Sequence, residues 1–314
     1  MKRLIYLVVL CLLAASPVGA AEPLRLSGPP VVESLPLMAM ASQGRLPGLD
    51  LAVEFRPWRG PDQLRAMIAG GQVDGVLITT AMAAVLRARG LPCRVLAVMS
   101  PPVWLVTAKP RLASLADMAD RPIVLPFGPG EMPALLLRAV AAQSGVSLRT
   151  SQAGSALEAV NLLAMGRADG AVLSEPAASL AVAKAGLERP LHKSLDLRQA
   201  WALAFPQCPQ LASTALALVG PRANDPAVGQ AVARAFGQSC PWVQEHDDQA
   251  RALAAAMFPD LAAQLTPGAR PVISLLDGPE GQRAALFVLA RLHELSPAAT
   301  GGVLPGPELW AAQP

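Results

Sequence analysis

The sequence predicts an α/β protein built as two similar lobes, and three observations carry that prediction. Between Leu24 and Gly220, short β-rich runs alternate with helical stretches. Several of those runs are apolar on both faces, as strands buried in a parallel sheet are. The chain also repeats itself: MIAGGQVDGVLITTAMA (67–83) and LLAMGRADGAVLSEPAA (162–178) match at an offset of 95 residues. The shared order is helix end, glycine, Asp-Gly, apolar strand, small polar pair, new helix. At nearly the same offset, PPVVESLPLM (29–38) is echoed by GPGEMPALLL (128–137), each a turn carrying a glutamate ahead of a helix. Two βα layouts so spaced imply two lobes on one plan, with loops at the carboxyl ends of their strands, where open parallel sheets bind ligands.

Taken in order, the chain opens with Lys2 and Arg3, an apolar run from Leu4 to Ala15, Pro17, and Val18-Gly19-Ala20 before Ala21. This is the three-part layout of a secretory signal peptide, with cleavage expected after Ala20 or Ala21. Cys11 lacks the small residue a lipoprotein cleavage site needs just before its cysteine, so a lipid anchor is not expected. No later stretch approaches the roughly 20 apolar residues of a spanning helix, and the expected destination is a bacterial periplasm. Losing Lys2 and Arg3 lowers the formal charge from +3 to +1, which gives no basic surface for nucleic acid. Three cysteines then remain, Cys93, Cys208 and Cys240; an oxidising compartment permits one disulfide, with Cys208 and Cys240 the more plausible pair.

Strands are expected at LRLS (24–27), LAVEF (51–55), GVLIT (75–79), CRVLAVM (93–99), VWLVT (103–107), PIVLP (122–126), GAVLS (170–174) and TALALVG (214–220). Helices are expected in ESLPLMAMASQ, PDQLRAMIAGG, AMAAVLRARG, EMPALLLRAVAAQSG and SALEAVNLLAMG. Enzyme motifs are thin. His192, His246 and His293 stand apart with no nucleophile or metal spacing. The GPG at 128–130 fails the dinucleotide fingerprint, because Pro133 stands where the third glycine belongs. Methionines such as Met38, Met40, Met67 and Met82 fall on helical apolar faces as core filler, and no cofactor is implied.

With ESLPLMAMASQGRLPGLDLAVEF, AGGQVDGVLITTAMA, SLADMADRPIVLP, MGRADGAVLSEPAAS and TALALVGPRANDPAVGQAVARAF in this order, the chain from Leu24 to about Val243 resembles ABC-transporter solute-binding proteins of the nitrate/sulfonate/bicarbonate and thiamine-precursor group. That resemblance implies the type II periplasmic-binding fold: two lobes with mixed, mainly parallel sheets joined by two crossover strands. Residues 1–20 would be the signal peptide, 22–102 plus 220–314 the first lobe, 108–211 the second, and 103–107 and 213–219 the hinge crossovers. The tail, with PGARPVIS and TGGVLPGPELW, reads as irregular packing over the first lobe.

Under this fold four loops line the cleft: Pro30 to Leu35, Thr79 to Met82, Phe127 to Met132, and Ser174 to Pro176. They nominate Glu33, Ser34, Thr79, Thr80, Phe127, Gly128, Gly130, Glu131, Ser174 and Glu175 as ligand-binding residues, with Trp58 after the second strand. Each hydroxyl has an ordinary alternative as a helix cap, and each glutamate as a first-turn residue favouring the helix dipole. Three glutamates facing one cleft would repel a sulfonate or nitrate if uncompensated, and suit a cation or an amino-heterocycle. Trp58, Phe127 and Trp104 fit a flat ligand, with Trp104 also readable as core. Arg56 and Arg59 point the other way, because either reaching the cleft admits an anionic group.

The expected function is thus a periplasmic receptor that captures a small solute by hinge closure and delivers it to an inner-membrane ABC permease, acting as a monomer without catalysis. A pyrimidine-like amine is favoured over a sulfonate- or nitrate-type anion. An exported enzyme and a sensory or assembly partner on the same fold are the rivals.

Overall fold

The structure is a computed structural model that describes residues 22–265, 272–276 and 278–311. The expected signal segment and most of PGARPVIS lie outside the described residues. Strands β1 (Leu24–Gly28), β2 (Val53–Pro57) and β3 (Gly75–Thr79) form a parallel trio in the order β2-β1-β3. Strand β10 (Thr214–Val219) lies antiparallel between β3 and β4 (Cys93–Met99), and β11 (Leu275–Leu276) closes that edge. The second sheet repeats the plan: β6 (Pro122–Pro126), β7 (Arg149–Ala153) and β8 (Gly170–Ser174) are the parallel trio, then β5 (Val103–Thr107) and β9 (His192–Asp196) run antiparallel. The second sheet is thus built from consecutive strands, β5 to β9, whereas the first takes β10 and β11 from the chain that returns after the second.

The helices are α1 (Leu35–Ser42), α2 (Pro61–Ala69), α3 (Thr80–Ala88), α4 (Met132–Gln143), α5 (Ala156–Ala164), α6 (Ala177–Lys184), α7 (Leu197–Ala204), α8 (Pro226–Glu245), α9 (Asp247–Met257), α10 (Pro259–Gln264) and α11 (Gly278–Leu295). Alternation along each strand sorts side chains to two faces. In the second lobe Leu105, Ile123, Leu125 and Val172 join the core under α4 and α7, whereas Val106, Val124, Ala171 and Leu173 join that under α5 and α6. In the first lobe Leu24, Leu26, Leu216 and Leu218 pack with α1, α8 and α9, while Val76, Ile78 and Val95 pack towards α2, α3 and α11.

The repeated Asp-Gly is structural. An added Cβ at Gly75 would lie 2.7 Å from Leu26 Cδ2, and one at Gly170 would lie 2.9 Å from Met118 Cε. Each glycine opens its strand where a neighbouring side chain crosses the sheet face, so a larger residue would force that side chain to shift. The preceding aspartates repeat one ladder contact: the Asp74 amide donates to the Arg25 carbonyl and the Asp169 amide to the Pro122 carbonyl, both at 2.9 Å. Asp74 is also forked by the Arg25 guanidinium at 2.7 and 2.8 Å.

Two expectations change. Cys93, Cys208 and Cys240 are all free thiols: Cys240 sits in the core beneath α8, whereas Cys208 packs against the core that α11 joins. Burial pushes the Cys93 and Cys240 thiols up to about 12. The C-terminal part is not confined to the first lobe or irregular throughout. Helix α11 packs on β4 and α3 of the first lobe and on α4 of the second. Its Phe287 meets Trp201 and Phe205 edge-on at centroid distances of 6.2 and 5.8 Å, and Glu280 accepts a bond from Gln210 at 2.6 Å. The irregular remainder does lie on the first lobe, where Trp310 bridges Val95.

Candidate functional site

The loop after β1 tightens into a 3-10 turn at Val32–Ser34 and enters α1 directly. Ser34 is fully buried and its hydroxyl donates to the Pro29 carbonyl at 2.7 Å, so it holds the turn. Glu33 is 4 % exposed, with no ion pair among the described residues. Burial pushes its carboxyl up to about 7. A bond from its own backbone N–H opposes that shift, Glu175 adds to it and Arg198 relieves it. Glu175 and Arg198 belong to the second lobe, so Glu33 feels charges across the cleft.

At the β3–α3 junction Thr79 is the helix N-cap, its oxygen accepting from the Met82 amide at 3.1 Å. That leaves its hydroxyl proton free to donate. Thr80 is buried and donates to the Ala212 carbonyl at 3.1 Å, which ties the first lobe to the returning crossover. Trp58 follows β2, bonded through its amide to the Gly28 carbonyl at 3.2 Å, and its indole Nε1 is buried without a partner.

Across the cleft, the β6–α4 junction places Phe127 at φ 68°, a left-handed conformation rare for an aromatic residue. Its amide is held by the Ala153 carbonyl at 2.7 Å. An added Cβ at Gly128 or Gly130 would meet open space, so neither glycine serves a close approach within the chain. Glu131 stands at the N-cap of α4 but makes no side-chain cap. Its Oε1 instead accepts from Arg65 Nη2 of α2 at 2.5 Å, and Arg65 also donates to Asp62 at 2.7 Å. At the β8–α6 junction Ser174 is half-buried, and Glu175 accepts from the Ser179 amide and hydroxyl at 3.2 and 2.8 Å. Lys193 pairs with Glu175 and lies over the Trp104 ring at 5.7 Å, while Arg198 forks Asp196.

The expectation of three uncompensated glutamates is therefore corrected. Arg65 neutralises Glu131 and Lys193 neutralises Glu175, leaving Glu33 as the carboxyl without a cationic partner in contact. Arg56 is taken up by Glu54 and the Gln72 carbonyl, and Arg59 lies over Phe258 at 5.5 Å. The cations beside the nominated residues are Arg65, Lys193 and Arg198. Sequence reasoning missed them because Arg65 sits three residues from Asp62, the spacing of an ordinary solvated helix pair, and Lys193 lies within, and Arg198 just after, a strand too polar to be recognised.

No protein-family model matches the sequence, and no curated protein does. Solved structures do. An ABC transporter protein from Parabacteroides distasonis superposes with a TM-score of 0.73 at 19% identity, covering 93% of this chain and 99% of that one. The periplasmic aliphatic sulphonate binding protein SsuA from Escherichia coli gives 0.65 at 17% identity, covering 90% and 96%. The fold is that of the periplasmic binding proteins. The periplasmic nitrate-binding protein NrtA from Synechocystis PCC 6803 gives 0.66 at 13% identity, covering 88% and 84%. In this periplasmic-binding fold the loops carrying Glu33, Thr79, Phe127, Glu131 and Glu175 all leave carboxyl ends of parallel strands, the edge at which such sheets receive ligands.

Proposed function

We propose that this chain is the exported solute-binding receptor of an ABC importer, taking one small solute between its lobes and presenting the closed form to an inner-membrane permease. The observation that carries this reading is the contact between the lobes at the strand ends, with Arg65 of α2 in the first lobe bonded to Glu131 of the β6–α4 loop in the second. The crossovers at 103–107 and 213–219 supply the hinge, with 22–102 and 108–211 in the two moving bodies and α11 packed on both. The receptor works as a monomer, without catalysis or cofactor.

The solute is an amine-bearing planar compound, on the ground that Glu33 is an acceptor lacking a cation and Trp58 Nε1 a donor lacking an acceptor. A heterocycle with a ring nitrogen and an amino group offers both complements. A second reading, a sulfonate- or nitrate-type anion, is favoured by Arg65, Lys193 and Arg198 and by the neighbours described as sulphonate- and nitrate-binding. Native mass spectrometry of the purified protein, followed by thermal-shift titration with aminopyrimidines, alkyl sulfonates and nitrate, separates the two. Saturable stabilisation by an aminopyrimidine that Glu33→Gln abolishes is expected. Stabilisation by an anion that Glu33→Gln leaves unchanged would overturn the amine.

A further inference from the structure

The first lobe contains a cavity of about 440 Å³ away from the cleft, between the edge of its sheet, the start of α8, β11 and the start of α11. That volume lies in the range of small-molecule sites. Its walls are apolar: Val95, Ala97, Leu218, Leu276 and Ala233 contribute. Three features at its lining have no use inside the protein. Arg94 and Arg234 both line it, and neither guanidinium makes a hydrogen bond or ion pair with any described residue. Trp310 also lines it and is only 7 % exposed, yet its indole Nε1 is enclosed with no partner. Asp225, the carboxylate at the rim, is already engaged, accepting from the Ala227 and Val228 amides as the cap of α8.

The two unpaired guanidiniums are donors at a cavity whose other walls are apolar, with the indole N–H of Trp310 sealed beneath its ring. A ligand complementary to that set carries acceptors and negative charge at one end and hydrocarbon at the other. We infer that this cavity is a second binding site, separate from the interlobe cleft, for a small amphipathic organic anion such as a medium-chain carboxylate or sulfonate. The anionic head is met by Arg94 and Arg234, and the chain lies along Leu218, Leu276 and the Trp310 ring. Nothing in this assignment depends on the cleft solute or on transport.

Isothermal titration of the signal-free chain with octanoate, octanesulfonate and octanol tests it. Both anions are expected to bind one to one, with octanol at least tenfold weaker. The double variant Arg94→Gln/Arg234→Gln should weaken octanoate about tenfold or more, while Glu33→Gln, Arg65→Ala and Trp310→Phe, which keeps an aromatic ring on the cavity wall, leave it unchanged. The two arginines are surface residues, so the double variant reports even if Trp310→Phe destabilises the chain. Absence of saturable heat, octanol binding as tightly as octanoate, or binding lost in the cleft variants and retained in the double variant would each overturn the site.

Discussion

Glu33 and Glu131 occupy equivalent places in the two lobes, each in the loop between the middle strand of its parallel trio and the helix that follows, yet they meet opposite fates. The turn carrying Glu33 is drawn under α1, a helix buried along most of its length, and the carboxyl is enclosed with it. The turn carrying Glu131 stays open, with Pro129 and Gly130 exposed, and a guanidinium from the facing lobe reaches it. Burial therefore decides the chemistry of otherwise matching residues. An enclosed carboxyl titrates near neutrality and becomes pH-sensitive, whereas one on an open turn is reached by a cationic partner.

The largest expected effect is on stability against pH. Glu33 is raised from 4.5 to about 7 in the folded chain, so its contribution is fully present below about pH 4.5 and is lost as pH rises to about 7. The loss is about 3 kcal/mol as an upper bound. Glu33→Gln should remove this slope: chemical denaturation should find the variant relatively more stable at pH 8 and the difference vanishing near pH 4. A parallel pH profile for the two proteins would break the comparison. Next in size is binding: Glu33→Gln should weaken an amine-bearing solute by about 2 kcal/mol, the scale of a charge-assisted hydrogen bond, in calorimetric titration at pH 8.

The Arg65–Glu131 pair is partly exposed, so its worth is smaller, about 0.5–1 kcal/mol. A double-mutant cycle on solute affinity, with Arg65→Ala and Glu131→Gln, should show that coupling, and the swap R65E/E131R should recover most of it. The smallest effect sharpens the contrast from the other side. Gly130→Ala should change melting temperature little, within about 0.5 kcal/mol, because its Cβ enters open space. Gly75→Ala serves as the control that costs about 1–3 kcal/mol through overpacking against Leu26.

Legibility followed burial as well. GVLIT, CRVLAVM, VWLVT, PIVLP and GAVLS form strands over the expected residues, because central strands need apolar side chains on both faces. The second strand begins at Val53 rather than Leu51. RTSQA at 149–153 and HKSLD at 192–196 went unrecognised: both are edge strands, and the first exposes four of its five residues. An edge needs no apolar signal, and polarity there guards against unwanted pairing. The candidate loops were placed because the repeat marks strand ends. Their electrostatics were not, because the pairs Arg65–Glu131 and Lys193–Glu175 join residues 66 and 18 positions apart, and no local pattern announces them.

Helix α11 has a consequence for the order in which the molecule is assembled. It is the last long helix along the described chain, and it covers part of both lobes at once, through β4 and α3 on one side and α4, Trp201 and Phe205 on the other. A growing chain that has reached residue 276 holds every strand of both sheets but leaves that shared apolar surface bare. The spacing of the lobes is therefore fixed in part by a segment that follows the described strands of both sheets along the chain.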